Sequence, residues 1–310
     1  MSDNVVLVSG YGAEGEEDMA LYRISECGAK HISGIKHGRA PSFCCRGENG
    51  LIYVASERED GADITSYALD DTELHTVRTL EVPGNGLCHV YAYGDVVFGC
   101  CFGSGHYFAV DAALTRVLWQ FKPDNAHAHW SNVIGGKLYL MDLGNDCIYR
   151  FELHSGVPSG SAEILRQPKD SGPRQILDAK DSCVCINELD GTVRVLDHNG
   201  IMLSEVRATS VPDKQNWPGG AVLAADNTLY VCNRGPNTIS EWSLRDKSLQ
   251  FVGEWSTGNW PRYIASVPNS EIIIAACQRE NEVRGYTVQS GTARETFRIP
   301  LAGASCVLAL

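Results

Sequence analysis

A few residues of this 310-residue chain combine types and positions that could do acid–base and anion chemistry. Arg174 stands in Gly172-Pro173-Arg174-Gln175, Glu188 in Asn187-Glu188-Leu189, Arg234 in Asn233-Arg234-Gly235 and Arg262 in Trp260-Pro261-Arg262. His129 ends His127-Ala128-His129, and His89 ends Asn85-Gly86-Leu87-Cys88-His89. Guanidinium forks match phosphate and carboxylate oxygens two at a time, so several arginines converging on one place suit an anionic substrate. A glutamate and an imidazole supply general acid–base chemistry near neutral pH. Glu57, Gln175, Asn233 and Trp260 occupy the same kind of position and are further binding candidates. Plainer readings stand beside these. A histidine at a strand start is often structural, and Arg174 can pair with Glu188 simply to lock one sheet. Trp130, Trp217 and Trp260 can wedge between sheets or stack on a sugar or lactone ring.

The elements that must position these residues are strands. Ser171–Asp197 reads as a three-stranded unit: Gln175–Asp178, a turn at Ala179–Asp181, Ser182–Ile186, a turn at Asn187–Gly191, then Thr192–Leu196 alternating at period two. If the first two strands form a hairpin, the start of one and the end of the other share an edge, which puts Pro173-Arg174-Gln175 beside Asn187-Glu188. The unit recurs. Aligning its second strand gives LIYVASE, VVFGCCF, KLYLMDLG, SCVCINEL, TLYVCNRG and EIIIAACQ, and the equivalent residues Tyr53, Phe98, Tyr139, Val184, Tyr230 and Ile273 are 45, 41, 45, 46 and 43 apart. A period of roughly 40–50 residues built of short strands marks a β-propeller. Val6–Gly12 fits a seventh copy. The expected fold is therefore all-β, a seven-bladed β-propeller forming one domain over residues 1–310. The C-terminal strand Cys306–Leu310 would join Asn4–Gly10, Met19–Ile24 and Lys30–Ile35 in the N-terminal blade, closing the ring and removing free sheet edges. The candidate residues all fall where chains enter a first strand or leave a second, at one end of the blades. The opposite turns, such as Gly47-Glu48-Asn49-Gly50, carry ordinary turn residues.

Composition narrows the function. A net charge of −12 argues against nucleic acid or an anionic membrane surface as partner, while leaving room for a locally positive site. The opening MSDNVVLV has neither the basic region nor the apolar core of a secretion signal, and no apolar run approaches the ~20 residues of a membrane helix. Most of the twelve cysteines fall inside strands, adjacent or as C-x-C, without C-x2-C pairs matched to histidines. Neighbouring strand residues point to opposite faces, so Cys44/Cys45 and Cys100/Cys101 read as small buried hydrophobes in a reducing, cytoplasmic compartment. No metal and no cofactor is expected, because Glu57, Asp142, Glu188 and Asn233, the nearest thing to an oxygen-ligand set, stand among arginines.

Five motifs in chain order, DLGND (Asp142–Asp146), GPRQ (Gly172–Gln175), NEL (Asn187–Leu189), NRGPNTI (Asn233–Ile239) and WPRYI (Trp260–Ile264), resemble the seven-bladed lactonase family. That family includes the propeller-type 6-phosphogluconolactonases and the fungal carboxy-cis,cis-muconate lactonizing enzymes. The resemblance runs over essentially the whole chain. It implies a metal-independent pocket on the propeller axis, acting on anionic lactones, with His129, Arg174, Glu188 and Arg234 at the positions proposed for catalysis and Arg262 at the PR that opens the next blade. The sequence departs from the family at three places: HPH is His127-Ala128-His129, GPRH has Gln175 in place of its imidazole, and Asn-Tyr of the second blade is Cys101-Phe102. The expected function is hydrolysis of a sugar-derived lactone, 6-phosphogluconolactone above all, by a monomer or weak homo-oligomer. No serine stands in an elbow motif, so water rather than an acyl-enzyme is the expected route. Two alternatives stay open: cycloisomerisation of an unsaturated acid, or a propeller that binds a peptide or protein without catalysis.

Overall fold

A computed structural model describes residues 4–13 and 15–310. Residues 1–3, the start of the stretch read as lacking a secretion signal, lie outside the described residues. The regular elements are all strands. They begin with β1 (Asn4–Gly10), β2 (Met19–Ser25) and β3 (Gly28–Ile35). Next come β4 (Pro41–Arg46), β5 (Ile52–Glu57), β6 (Ala62–Asp70) and β7 (Glu73–Glu81), then β8 (Leu87–Tyr93), β9 (Val96–Cys101), β10 (His106–Asp111) and β11 (Val117–Phe121). A third set is β12 (Ala128–Ile134), β13 (Lys137–Asp142), β14 (Cys147–His154) and β15 (Val157–Arg166). A fourth is β16 (Pro173–Asp178), β17 (Cys183–Asn187), β18 (Thr192–Leu196) and β19 (Met202–Arg207). The chain finishes with β20 (Trp217–Leu223), β21 (Thr228–Arg234), β22 (Thr238–Arg245) and β23 (Ser248–Ser256), then β24 (Pro261–Ser266), β25 (Ile272–Cys277), β26 (Glu282–Gln289), β27 (Thr292–Pro300) and β28 (Ala304–Ala309).

Hydrogen bonding sorts these strands into seven four-stranded sheets, the blades of a β-propeller. Six use consecutive strands. The seventh has the order β28-β1-β2-β3, so the C-terminal strand joins the N-terminal blade as expected. Val6 pairs with Ala309, Leu7 with Leu308 and Val8 with Val307. The strand itself starts two residues earlier than the sequence pattern indicated.

The residues group into two compact units, one running up to Lys36 and resuming at Leu177–Leu310, the other being His37–Ile176. Within His37–Ile176, Phe98, Tyr107 and Ala109 of one blade meet Leu138, Leu140, Tyr149 and Phe151 of the next in a shared core. Period-two alternation supplies such faces, and tyrosine adds a polar tip to its apolar body. The Tyr107 hydroxyl donates to the Met141 carbonyl at 2.8 Å, and the Tyr53 hydroxyl to that of Ala112 at 2.7 Å, tying neighbouring blades. In the other unit Val6, Val8 and Val307 pack with Ile272, Ile274 and Val283, while Val184, Val193 and Val195 pack with Ala221, Leu229 and Trp242.

All twelve cysteines are free thiols, ten of them buried. Burial lifts the Cys147 thiol to about 11, which leaves it protonated and poorly nucleophilic at neutral pH. Among the described residues, no helix is long and apolar enough to cross a membrane.

Candidate active site

In the unit that contains Leu177–Leu310, an ion pair links two neighbouring blades. Glu188 follows β17 and Arg234 ends β21. An Nη2 of Arg234 lies 2.9 Å from Oε2 of Glu188. The same guanidinium donates from Nε to the Trp217 carbonyl at 2.8 Å and from Nη2 to the Pro218 carbonyl at 3.1 Å. Strand register makes this possible, because Arg234 pairs with Trp217 across β20 and β21. The Arg234 side chain is 5% exposed and that of Glu188 18%, so the cation is enclosed while the carboxylate keeps a face toward solvent. A guanidinium at this distance fixes the direction of the carboxylate. The sequence suggested Arg234 as a holder of the substrate's anionic group and Arg174 as the neighbour of Glu188. The geometry sets Arg234 beside Glu188 as well.

Trp260 stands behind this pair. Its ring lies 5.2 Å from Cζ of Arg234 and 5.7 Å from the ring of Trp217. Its other cationic neighbour, Arg279, stacks with Cζ 3.4 Å from the ring centroid. The backbone of Trp260 is left-handed, φ 58°, at the step just before the innermost strand of its blade. Glycines take this step elsewhere: Gly86 (φ 65°), Gly172 (φ 58°) and Gly303 (φ 61°), with Ala40 (φ 52°) in another blade. The turn therefore belongs to the blade, and a glycine would adopt it without strain. A bulky residue there costs on the order of 1–3 kcal/mol. Two hydrogen bonds hold it, from the Trp260 N–H to Oδ1 of Asn237 at 3.0 Å and from the Gln278 N–H to the Trp260 carbonyl at 3.1 Å.

Arg262 is half-buried with its guanidinium over the ring of Tyr11, 5.4 Å from the centroid. Asn233 is fully enclosed. Its Oδ1 accepts from Asn216 at 2.7 Å and its Nδ2 donates to Ser240 at 3.1 Å, a bracing role within the blade.

Within His37–Ile176 the remaining candidates separate by environment. His129 and Arg174 are each 7% exposed and Gln175 is buried. The edge of the Phe102 ring approaches His129, centroids 6.0 Å apart, and His127 at 4.9 Å. His127 is exposed and lines an open groove of about 600 Å³ with Gly103, Ser104 and Asn125. His89 lies in the core, its ring 3.7 Å from that of Trp130 and 4.6 Å from that of Phe43, with Nδ1 accepting the Ser131 N–H at 3.3 Å. Burial lowers its pKa well below the ordinary range, so the ring is neutral at physiological pH. Glu57 is half-buried at the end of β5, where its N–H donates to the Ala40 carbonyl at 3.0 Å. Among the described residues, no three His, Cys, Asp or Glu side chains group as metal ligands. Asp142 is instead committed to its own turn, with Oδ1 accepting the N–H groups of His127, Gly144 and Asn145 at 3.0, 3.1 and 3.1 Å.

A family model described as "Lactonase, 7-bladed beta-propeller" matches residues 5–309. The chain belongs to the seven-bladed β-propeller lactonase family. Among curated relatives, the 6-phosphogluconolactonase of Formosa agariphila is 29% identical over 177 residues, 52% of this chain and 50% of the relative. The 6-phosphogluconolactonase of Buchnera aphidicola subsp. Schizaphis graminum is 26% identical over 181 residues, 53% of this chain and 54% of the relative. The alignments thus span about half the length of the curated relatives. Among solved structures, a Bacteroides uniformis protein superposes with a TM-score of 0.92 at 24% identity, covering 100% of both chains. The periplasmic gluconolactonase of Pseudomonas aeruginosa superposes with a TM-score of 0.90 at 19% identity, covering 100% of this chain and 99% of that one. At these identities the superpositions speak to the fold.

Three features of this lactonase-family chain escaped sequence reasoning. Arg279, stacked on Trp260, was only one of several charged residues after a strand. Asp146 accepts the N–H groups of Asp170 and Gly172, each at 2.8 Å, and so anchors the loop entering the strand that carries Arg174. The third is a buried network around Asp63. Its Oδ1 accepts from Ser56 at 2.7 Å, and its Oδ2 accepts from Arg39 at 3.2 Å and Arg58 at 3.0 Å. Ser56 in turn meets Nε2 of His37 at 3.0 Å, and Nδ1 of His37 meets the Tyr67 hydroxyl at 2.7 Å. Ser56 is fully buried, so this network is a brace rather than a nucleophile. The only signal for it in the sequence was the pair of arginines flanking the blade.

Proposed function

We propose that this protein hydrolyses a sugar-derived δ-lactone, 6-phosphogluconolactone, without a metal or cofactor, in the cytoplasm. Family membership supports the reaction class, and the names of the curated relatives support the substrate. The observation that carries the mechanism is the Glu188 carboxylate, partly open to solvent and fixed at 2.9 Å by an enclosed Arg234. Twelve free thiols support a reducing compartment, and the acidic net charge supports a small-molecule partner rather than nucleic acid or a membrane.

In this reading Glu188 takes a proton from water as the water oxygen adds to the lactone carbonyl carbon. A guanidinium stabilises the oxyanion that forms there. The tetrahedral intermediate then collapses. The bond from the former carbonyl carbon to the ring oxygen breaks, and the departing alkoxide receives a proton from protonated Glu188. Arg234 holds Glu188 in place throughout, and Arg262 contributes polar contacts to the bound sugar acid.

The test is direct. 6-Phosphogluconolactone generated enzymatically in the cuvette is followed by acid release, with its spontaneous hydrolysis subtracted. Wild-type protein should accelerate the decay, and Glu188→Gln should lower kcat about 100- to 10,000-fold with KM little changed. Lactone decay at the uncatalysed rate, together with conversion of an unsaturated dicarboxylic acid, would replace this reading with cycloisomerisation.

A further inference from the structure

The proposed substrate carries a phosphate, and Arg234, whose charge faces Glu188 and whose Nε and Nη2 serve carbonyls, is poorly placed to bind it. Arg279 is placed to do so. It is exposed, one face of its guanidinium lies 3.4 Å from the Trp260 ring centroid, and among the described residues no carboxylate stands within ion-pair distance of it. The adjacent Glu280 is engaged elsewhere, its Oε2 accepting the Asn259 N–H at 3.1 Å and its Oε1 lying 3.9 Å from Arg284. Stacking on an aromatic face uses the π surface of a guanidinium and leaves its in-plane N–H donors pointing outward, the arrangement that grips a phosphate bidentately.

The contacts run in one chain through this unit: Arg279 on Trp260, Trp260 beside Arg234, and Arg234 on Glu188. The backbone of Trp260 explains why a platform is there at all. Three other blades put glycine at the same left-handed step, and here the fold carries a strained tryptophan instead. Strain of this kind persists where the surroundings over-determine it and the side chain is needed at that place.

We propose that Arg279, presented by Trp260, is a specificity-determining residue that recognises the phosphate monoester of the substrate. This rests on the hydrolytic reading above. Arg279 touches the phosphate, not the reacting carbonyl, so it sets selection rather than chemistry.

The experiment compares wild type, Arg279→Ala and Arg279→Lys on 6-phosphogluconolactone and on unphosphorylated glucono-δ-lactone. In parallel, binding of 6-phosphogluconate and of gluconate is measured by tryptophan fluorescence. The Ala variant should raise KM for the phosphorylated lactone about 10- to 100-fold with kcat nearly unchanged, and should leave the unphosphorylated lactone untouched. The Lys variant should recover part of the loss, since it keeps charge and loses the fork. Equal kinetics for Ala and wild type on both lactones would overturn the inference while leaving hydrolysis standing, and so would an equal loss on both. Should wild type hydrolyse neither lactone yet bind phosphogluconate through Arg279, the hydrolytic reading falls and the anion site is upheld. Binding of phosphogluconate that is indifferent to Arg279 overturns the site whatever the activity.

Discussion

Replacing Arg234 with Met should cripple stability before it tells anything about substrate binding. Methionine keeps the stem but removes the cation, leaving Glu188 without the charge 2.9 Å away and the Trp217 and Pro218 carbonyls without a donor each. Breaking an enclosed ion pair from one side costs about 3–5 kcal/mol. The partial exposure of Glu188 lets water take over some of that loss, which pulls the figure toward the low end. Each carbonyl bond adds about 0.5–1.5 kcal/mol, and the contact with Trp260 about 0.5–1 kcal/mol. These terms share one guanidinium and do not simply add, so the expected total is about 3–5 kcal/mol. Glu188→Gln behaves differently, because the amide oxygen still accepts from Arg234 and the carbonyl bonds survive. It should cost only about 1–2 kcal/mol while removing the base. Urea unfolding followed by tryptophan fluorescence measures both, with lactone hydrolysis assayed on the folded fraction. An Arg234→Met protein within 1 kcal/mol of wild type, with only its KM raised, would show that Arg234 binds substrate and that the positioning argument is wrong.

Deleting Ser305–Leu310 removes most of β28, and the expected product is insoluble; a soluble truncation with unchanged melting temperature would contradict the closing blade. Asp146→Ala takes away the acceptor of the Asp170 and Gly172 amides, so the strand bearing Arg174 should lose its fixed entry and KM should rise about tenfold, with Asp146→Asn recovering part; an unchanged KM would exclude the anchoring role. His89 is kept neutral by burial, with its folded pKa well below the ordinary 6.5. As pH falls below 6.5 the unfolded chain therefore binds a proton that the native ring refuses, so native stability drops with acidification until the folded pKa is reached. Melting temperature should fall less steeply from pH 7 to about 5 in His89→Gln than in wild type, and parallel slopes would count against this assignment. The proposal of a single domain over 1–310 predicts one calorimetric transition, and two resolved transitions would refute it.

The blades were legible because alternation at period two and spacings of 41 to 46 residues are local properties that the chain repeats. Strand ends were read to within about two residues, as Ser182–Ile186 against Cys183–Asn187 shows. Contacts between blades were not legible in the same way. The hairpin argument looked for neighbours of Glu188 only inside its own blade. Arg234 reaches Glu188 from β21 of the following blade, a neighbour that no periodicity names. His89 and Asn233 illustrate a second limit. Their polarity marked them as candidates, yet Phe43 and Trp130 enclose one while Asn216 and Ser240 satisfy the other. Polarity in a sequence shows only that a group needs partners. Whether those partners are substrate or protein depends on strands far away in the chain. The left-handed turn at Trp260 was equally invisible, since nothing in Asn-Trp-Pro announces a positive φ.

The pairing of β28 with β1 also sets a timetable for biosynthesis. The first three strands of that blade leave the ribosome early, and the strand that covers β1 comes last. Val6 waits for Ala309, and the Ser305 hydroxyl finds the Ser9 carbonyl across a separation of 296 residues. At about 5–20 residues per second, that interval is roughly 15–60 s in which β1 presents an uncovered row of N–H and C=O groups to other nascent chains. Holdase chaperones that shield exposed strand edges should therefore associate with the nascent chain until Ala304–Ala309 emerge, and translation that stalls before them should be as damaging as a stop near β1.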